Sequence, residues 1–429
     1  MKHEKPLLFT VYPNLEGKIP WTPILTQIPT KVERLTELEN YLNLEKGEIY
    51  IKRDDKVHHI YGGNKLRKFE FIFGEALKKR KKGMITLGGI GTNHGIACTI
   101  ITRELGMNCE LFLSNQPLTW HVQRSLLLYN YFGAKLHFTK SFELGILKSL
   151  FFRLFHPKYY LMSIGGTPLF GLGTPLGTVG FINAVIELKN QIDAGECPEP
   201  DYIFVTAGSS GTTAGLVAGC KLLGLKTKVC FVNVSRDIIV NPKAVKNIAN
   251  KAIRCLRKHD KTIPNISITE EDFTMIKGYL GSAYGVKTVK GQHAVDILYE
   301  LEGKKGDFKL DTTYTGKTMA AVFDFFKLDN NKSKKVLFWN TYNSNDLDGY
   351  LKETGFDYSI LPKKYHKYYE SKIFQCWQIT ECPQEMRNDC PAYLNHEYRF
   401  WKVTDCKLDN QLKQKAQERL EQEITLENS

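Results

Sequence analysis

The sequence lacks any run of about 18 consecutive apolar residues, so no membrane-spanning helix is expected. Its first residues, Met1-Lys2-His3-Glu4-Lys5-Pro6, lack the apolar stretch of a signal peptide. A cytoplasmic, reducing compartment is therefore expected, and the ten cysteines read as thiols or metal ligands rather than a disulfide framework. No segment has the composition of a disordered chain and no short-period repeat is present. Acidic residues are outnumbered, 46 against 59 Lys+Arg. Yet basic and aromatic residues do not interleave along one strand and no nucleic-acid module is seen, so the excess suits an anionic small ligand better than a polymer. Also missing are a Gly-Lys-Ser/Thr loop ending and the G-x-G-x-x-G spacing, which disfavours a nucleoside triphosphate or a dinucleotide.

At 429 residues the chain exceeds what one core usually holds. Residues 1–48 read as a leader that packs on the body, with Val32 to Leu44 as a helix candidate. From residue 49 to about 340, short apolar runs alternate with helix-length segments. Expected strands are Met84–Leu87, Asn108–Leu113, Lys135–Phe138, Tyr160–Ser163, Tyr202–Thr206, Lys228–Val234 and Lys335–Trp339. Expected helices are Asn64–Lys82, Asn93–Leu105, His121–Phe132, Leu176–Gln191, Thr212–Leu223 and Thr288–Glu302. This pattern implies α/β architecture, with open parallel sheets carrying helices on both faces. The apolar stretch Leu144 to Phe155 is too short to cross a bilayer and reads as a buried or docking helix.

Four turns carry candidate chemistry. The first is Tyr61-Gly62-Gly63-Asn64-Lys65, where glycines precede a lysine at a helix start. In the second, Gly88 to His94, Thr92, Asn93 and His94 place a hydroxyl, an amide and an imidazole at a helix N-terminus, a set suited to a carboxylate. In the third, Gly208-Ser209-Ser210-Gly211-Thr212, small residues leave backbone N–H groups free to surround a phosphate. The fourth, Asp311-Thr312-Thr313-Tyr314-Thr315-Gly316-Lys317, presents a phenol and a neutral hydroxyl, and Tyr284 sits in a glycine-flanked loop upstream. Such turns in a parallel sheet should converge beyond the strands' carboxyl ends. A lysine, a phosphate cradle and a carboxylate-friendly turn together point to pyridoxal 5'-phosphate.

The chain resembles the pyridoxal-phosphate-dependent D-cysteine desulfhydrase and 1-aminocyclopropane-1-carboxylate deaminase family, which has the tryptophan synthase β-like fold (fold type II). The resemblance runs from about residue 15 to 345 and is carried by Lys52-Arg53-Asp54-Asp55, Gly62 to Lys68, Thr92-Asn93-His94, Gly208 to Leu216, Tyr284-Gly285 and Tyr314 to Lys317. It implies a large domain built from residues 1–60 and 171–350, a small domain of residues 61–170, and a homodimer. It further implies that Lys65 carries the cofactor as a Schiff base and moves the Cα proton, and that Asn93 bonds the cofactor's 3-oxygen. Thr92, Asn93 and His94 would hold the substrate carboxylate, and Gly208 to Thr212 the phosphate. Tyr284 and Tyr314 would face the reacting centre, and Thr315 would meet the ring nitrogen. Deaminases of the family resemble Tyr-Glu-Gly-Lys where this chain has Tyr314-Thr315-Gly316-Lys317, as in the desulfhydrases. The implied reaction on a small amino acid is α,β-elimination to pyruvate, ammonia and hydrogen sulfide. Deamination of the cyclopropane amino acid, or non-catalytic binding of an amino acid, are the alternatives.

Two departures bear on the substrate. Thr92 stands where the family usually has serine, and Asn340-Thr341-Tyr342-Asn343 replaces a His-Thr-Gly-Gly pattern, so Tyr342 and Asn343 should fill part of a pocket wall. Beyond the resemblance, residues 366–406 form a Cys/Trp-rich module and residues 407–429 a charged tail. Cys376, Cys382, Cys390 and Cys406 read as ligands of zinc or an iron–sulfur cluster, or as free or packing thiols.

Overall fold

The computed structural model describes residues 4–44, 48–116, 120–168, 173–282 and 284–370. The expected module at 366–406 lies outside them apart from its first residues, and all four of its cysteines lie outside. The six cysteines among the described residues are free thiols.

Among the described residues ten strands form two sheets. The larger has the order β1-β2-β10-β7-β8-β9, comprising β1 (Val32–Arg34), β2 (Glu48–Lys52), β7 (Tyr202–Ala207), β8 (Lys228–Asn233), β9 (Phe273–Ile276) and β10 (Lys335–Trp339). The smaller has the order β5-β4-β3-β6, comprising β3 (Gly83–Gly89), β4 (Asn108–Ser114), β5 (Lys135–Thr139) and β6 (Tyr159–Leu161). Every pairing is parallel except β1 with β2. β7 and β8 are buried along almost their whole length, which explains apolar runs without alternation. Helices Leu176–Asp193, Gly211–Leu222 and Pro242–His259 cover one face of the larger sheet, and Val289–Leu298 and Thr315–Phe326 the other. Helices Lys65–Lys78, Asn93–Glu104 and Trp120–Tyr131 supply the main core of the smaller sheet.

Several expectations are corrected. Val32–Leu44 is not one helix: Val32–Arg34 is an edge strand, and only Thr36–Tyr41 is helical. Arg34 is held by Glu39 and Glu48, and Glu39 in turn accepts the Ile49 N–H, so pairing with β2 wins over local helix propensity. The helix from Lys65 ends at Lys78, because Arg80 takes a left-handed φ of 51°. Helix Phe142–Phe155 buries only one side: Ile146 and Phe152 pack on Ile85, Leu87 and Phe112, while Leu147, Phe151, Leu154 and Phe155 are exposed. Among the described residues no helix is long and apolar enough to cross a membrane.

The chain leaves the larger sheet after β2, builds the smaller one, and returns at β7. The first crossing carries the Lys65 turn. Gly62 is required there because a Cβ would lie 1.6 Å from the Asp55 carbonyl oxygen, and Gly63 because its φ is 97°. Beneath this crossing lies a buried ionic cluster. Arg67 donates to both oxygens of Asp54 at 2.7 and 2.8 Å and to both of Glu187 at 2.9 and 3.2 Å. Lys52 Nζ donates to Glu187 at 2.7 Å, to Gln191 at 2.5 Å and to the Thr30 carbonyl at 2.7 Å. The indole N–H of Trp339 donates to Asp54 at 2.7 Å. Two cations thus meet two carboxylates, with further hydrogen bonds on most of their polar atoms.

Candidate active site

Residues directly after β3, β7 and β10, together with the Lys65 turn, line one cleft of about 860 Å³, its open mouth included. This cleft lies where the carboxyl ends of parallel strands meet, the usual ligand position in open α/β sheets. It brings together Lys65, Thr92, Asn93, His94, Gly208, Ser209, Ser210, Thr212, Tyr284, Tyr314 and Thr315. Gly211 does not line it. The Gly211 N–H is spent on the Ser209 carbonyl at 2.8 Å, and a Cβ there would meet Thr167 Oγ1 at 2.4 Å, so this glycine permits packing beneath the loop.

Lys65 Nζ donates to Asn64 Oδ1 at 2.9 Å, and Asn64 Nδ2 donates to Thr212 Oγ1 at 3.0 Å, which ties the lysine to the glycine–serine loop. Burial pushes the Lys65 amine down to about 8, with Asp311 pulling the other way. Three residues on, Lys68 is fully buried and, among the described residues, donates only to the Gly165 carbonyl (3.0 Å) and Thr167 Oγ1 (3.2 Å). Burial and the neighbouring Lys65 hold its amine well below the ordinary lysine range. Thr167 Oγ1 also contacts Ser209 Oγ at 3.0 Å, so a second lysine lies just under the loop. Helix geometry placed Lys68 one turn from Lys65, a signal the motif reading left unused. The loop is shaped by Ser210, whose φ is 63°, and it leads into helix Gly211–Leu222, of which Thr212 and Thr213 line the cleft.

Across the cleft, Thr92 is the N-cap of helix Asn93–Glu104, but its hydroxyl makes no capping bond. The turn is held instead through carbonyls: Tyr129 donates to Thr92 O at 2.8 Å and Tyr61 to Asn93 O at 3.1 Å. Both side chains stay available. His94 Nε2 meets Thr86 Oγ1 at 2.9 Å, closer than the 3.3 Å from that hydroxyl to the Met162 carbonyl. The hydroxyl's one hydrogen goes to that carbonyl, which can only accept, so His94 Nε2–H donates to Thr86 and His94 Nδ1 is left with no partner among the described residues. Burial and the two lysine charges keep the ring neutral.

At the third corner the Tyr284 and Tyr314 hydroxyls touch; burial raises the Tyr314 phenol, while Tyr284 is half exposed. Thr315 is bonded to Asp311, a cleft residue given no role from sequence; the Asp-Thr-Thr-Tyr-Thr run before a helix was its available signal. Tyr342 and Asn343 also line the cleft, and Asn343 Oδ1 accepts the Gly62 N–H at 2.6 Å, so they do occupy wall positions.

These residues fit pyridoxal phosphate. A helix start backed by an uncompensated buried lysine suits a phosphate, an amine poised near neutrality suits an aldehyde, and the Thr92 hydroxyl at a helix N-terminus suits a carboxylate. The fold and cleft thus fit an enzyme that uses an anionic carbonyl cofactor.

Comparison with known proteins agrees. Residues 24–341 match the family described as pyridoxal-phosphate dependent enzyme. A D-cysteine desulfhydrase of Serratia proteamaculans (strain 568) is 30% identical over 323 residues, covering 72% of this chain and 90% of that protein. One from Klebsiella pneumoniae (strain 342) is 30% identical over 324 residues, covering 73% and 89%. Among solved structures, an ACC deaminase homologue superposes with a TM-score of 0.63 at 24% identity, covering 77% of this chain and 94% of its own. The chain belongs to the pyridoxal-phosphate-dependent enzymes, in the D-cysteine desulfhydrase/1-aminocyclopropane-1-carboxylate deaminase family, and is a lyase of fold type II.

Proposed function

We propose that the chain eliminates hydrogen sulfide from D-cysteine, giving pyruvate and ammonia. The observation that carries this reading is the convergence, in one cleft, of the Lys65 amine, the Thr92 hydroxyl free of any capping bond and the touching Tyr284–Tyr314 hydroxyls. The choice of D-cysteine is supported by the relatives and by Thr315 standing where the deaminases resemble a glutamate.

When bound, pyridoxal phosphate supplies an electrophilic carbon for the amino group and a conjugated ring that accepts electron density from Cα. The amides at Ser209, Ser210 and Thr212, with Lys68 beneath them, hold its phosphate. Asn93 stands ready for its phenolic oxygen and Thr315 for its ring nitrogen. The Thr92 hydroxyl, with Asn93 and His94 beside it, binds and orients the substrate carboxylate. Lys65 Nζ, lowered toward neutrality, takes the Cα proton. The Cβ–S bond then breaks with its electron pair on sulfur, and the Tyr284–Tyr314 pair, protonated at neutral pH, supplies a hydrogen to the departing sulfide. The enamine that remains hydrolyses to pyruvate and ammonia. Tyr342 and Asn343 narrow the wall and favour a short side chain.

The test is purified protein incubated with D- and L-cysteine, other small amino acids and 1-aminocyclopropane-1-carboxylate, with pyruvate or other keto acid, ammonia and sulfide all measured. D-cysteine should yield the three products in equal amounts, and Lys65→Ala should lose roughly 10³-fold or more of the rate. Turnover of the cyclopropane without turnover of D-cysteine sinks the assignment.

A further inference from the structure

We infer that residues 371–406 of this chain pack across helix Phe142–Phe155 and cover its exposed apolar face. The helix carries two apolar stripes on opposite sides. One rests on the smaller sheet, where Gly145 and Ser149 are buried and Ile146 and Phe152 pack on Ile85, Leu87 and Phe112. The other is made by Leu147, Leu150, Phe151, Leu154 and Phe155, at the i, i+3, i+4, i+7, i+8 spacing of a single helical face. All five are exposed, and Leu154 is the most open at 72%. The rings of Phe151 and Phe155 lie 4.7 Å apart between centroids, so the stripe is continuous. A helix apolar on both sides belongs in an interior, and five large side chains in one row on the surface mark a contact face.

The end of the described chain points to the occupant. Its last turns run beside strand β5, which leads into this helix after two residues. Tyr365 is buried with its ring edge-on to Phe138 of β5 at 6.2 Å, and Lys367 Nζ lies 5.3 Å from the centre of the same ring. Tyr368 and Tyr369 donate to Asn115 Oδ1 and to the Gln123 carbonyl, both at 2.6 Å. Burial and then the charge of Lys148 lower the Lys364 amine, so this end of the chain comes close to the helix itself. Lys148 stands on the flank of the stripe, one and two turns before Phe151 and Phe155. Glu370 therefore delivers the chain near the stripe's edge. The 36 residues that follow include Phe374, Trp377, Leu394, Phe400 and Trp401. A segment this short does not enclose a core unaided, so its large side chains gain most on an apolar face already built. From Leu147 to Phe155 the stripe rises about 12 Å, a span that a handful of residues can follow. Two apolar surfaces that are each costly alone thus remove one another from water.

The test uses the full chain carrying the photoreactive analogue p-benzoylphenylalanine in place of Phe151. After irradiation the products are separated on a denaturing gel, and the joined peptides are identified by mass spectrometry. Crosslinks from position 151 into residues 371–406, in material of single-chain mass, are the expected result. Crosslinks found only at twice that mass would make the face an interface between copies and overturn the inference. Adducts to lipid in the presence of anionic vesicles, with none into 371–406, overturn it as well, as does the absence of any crosslink into that segment. A second measurement uses Phe151→Glu with Leu154→Glu, which sets two carboxylates into the proposed contact. Trypsin should then cut after Arg387 and Arg399 about 10-fold faster than in wild type, because cleavage follows the open population. Equal rates in the two proteins overturn the inference, and the crosslink decides alone if the double variant does not fold.

Discussion

Two systems of buried charge share one helix and are treated in opposite ways. Arg67 points into the cluster with Lys52, Asp54 and Glu187, where cations and carboxylates are equal in number and closely bonded. Lys65 and Lys68 sit beside the cleft on the same helix, and among the described residues no carboxylate lies within ion-pair distance of either. The physical consequence shows in their basicity. Attraction from Asp54 and Glu187 raises Arg67 despite its burial, whereas burial drives Lys65 and Lys68 down. A buried cation with its counter-ions in place is scaffold. One without them is poised for a ligand that brings negative charge, and a phosphate-bearing aldehyde brings both the charge and the partner.

This contrast can be broken by substitution, beginning where the effect is largest. Arg67→Met strands Asp54 and Glu187 as buried carboxylates and should cost about 3–5 kcal/mol of stability, read from the urea midpoint of the protein. Lys68→Met removes a buried charge that had no counter-ion, so its stability without cofactor should change far less. Its cofactor affinity should fall about 10- to 100-fold, as expected for losing a charge-assisted hydrogen bond of roughly 1.5–3 kcal/mol. Equal loss of stability in the two variants would erase the distinction between scaffold and site. The smallest effect is one of pH. Because Lys65 is lowered from 10.5 to about 8, the unfolded chain holds a proton between those values that the folded one has released. Stability of the cofactor-free protein should therefore rise with pH across that window, by on the order of 1 kcal/mol for a partly buried amine, and Lys65→Met should flatten the rise. An unchanged slope in the variant would place the responsible group elsewhere, with Lys68 first to be examined.

Much of the architecture was legible because parallel strands buried on both faces leave continuous apolar runs. β10 was read to the residue, and β3, β4, β5, β7 and β8 to within two. Helix Pro242–His259 and strand β9 went unread. The helix is charged on most of its surface, with Val245, Ile248, Ala249, Ala252, Ile253 and Leu256 buried at helical spacing behind an Asn241 cap, so its signal was periodicity rather than hydrophobicity. β9 is four residues long with only Phe273 buried, too little pattern to stand out. The turns that line the cleft were legible through their chemistry, since glycines and hydroxyls at strand ends have few other uses. Asp311 was missed because an aspartate four residues before Thr315 reads as a helix cap until its bond to that hydroxyl is seen.

The sequence by itself determined the local geometry: a glycine turn no larger residue could make, a helix that begins at Lys65, and the spacing that turns Lys65 and Lys68 to one side and Arg67 to the other. The tertiary structure decided what each charge means. Glu187 reaches Arg67 across 120 residues, and Asp311 reaches the cleft from far along the chain. In a low-dielectric interior the state of an ionisable group depends on which distant groups come near it, and only the folded chain brings them there.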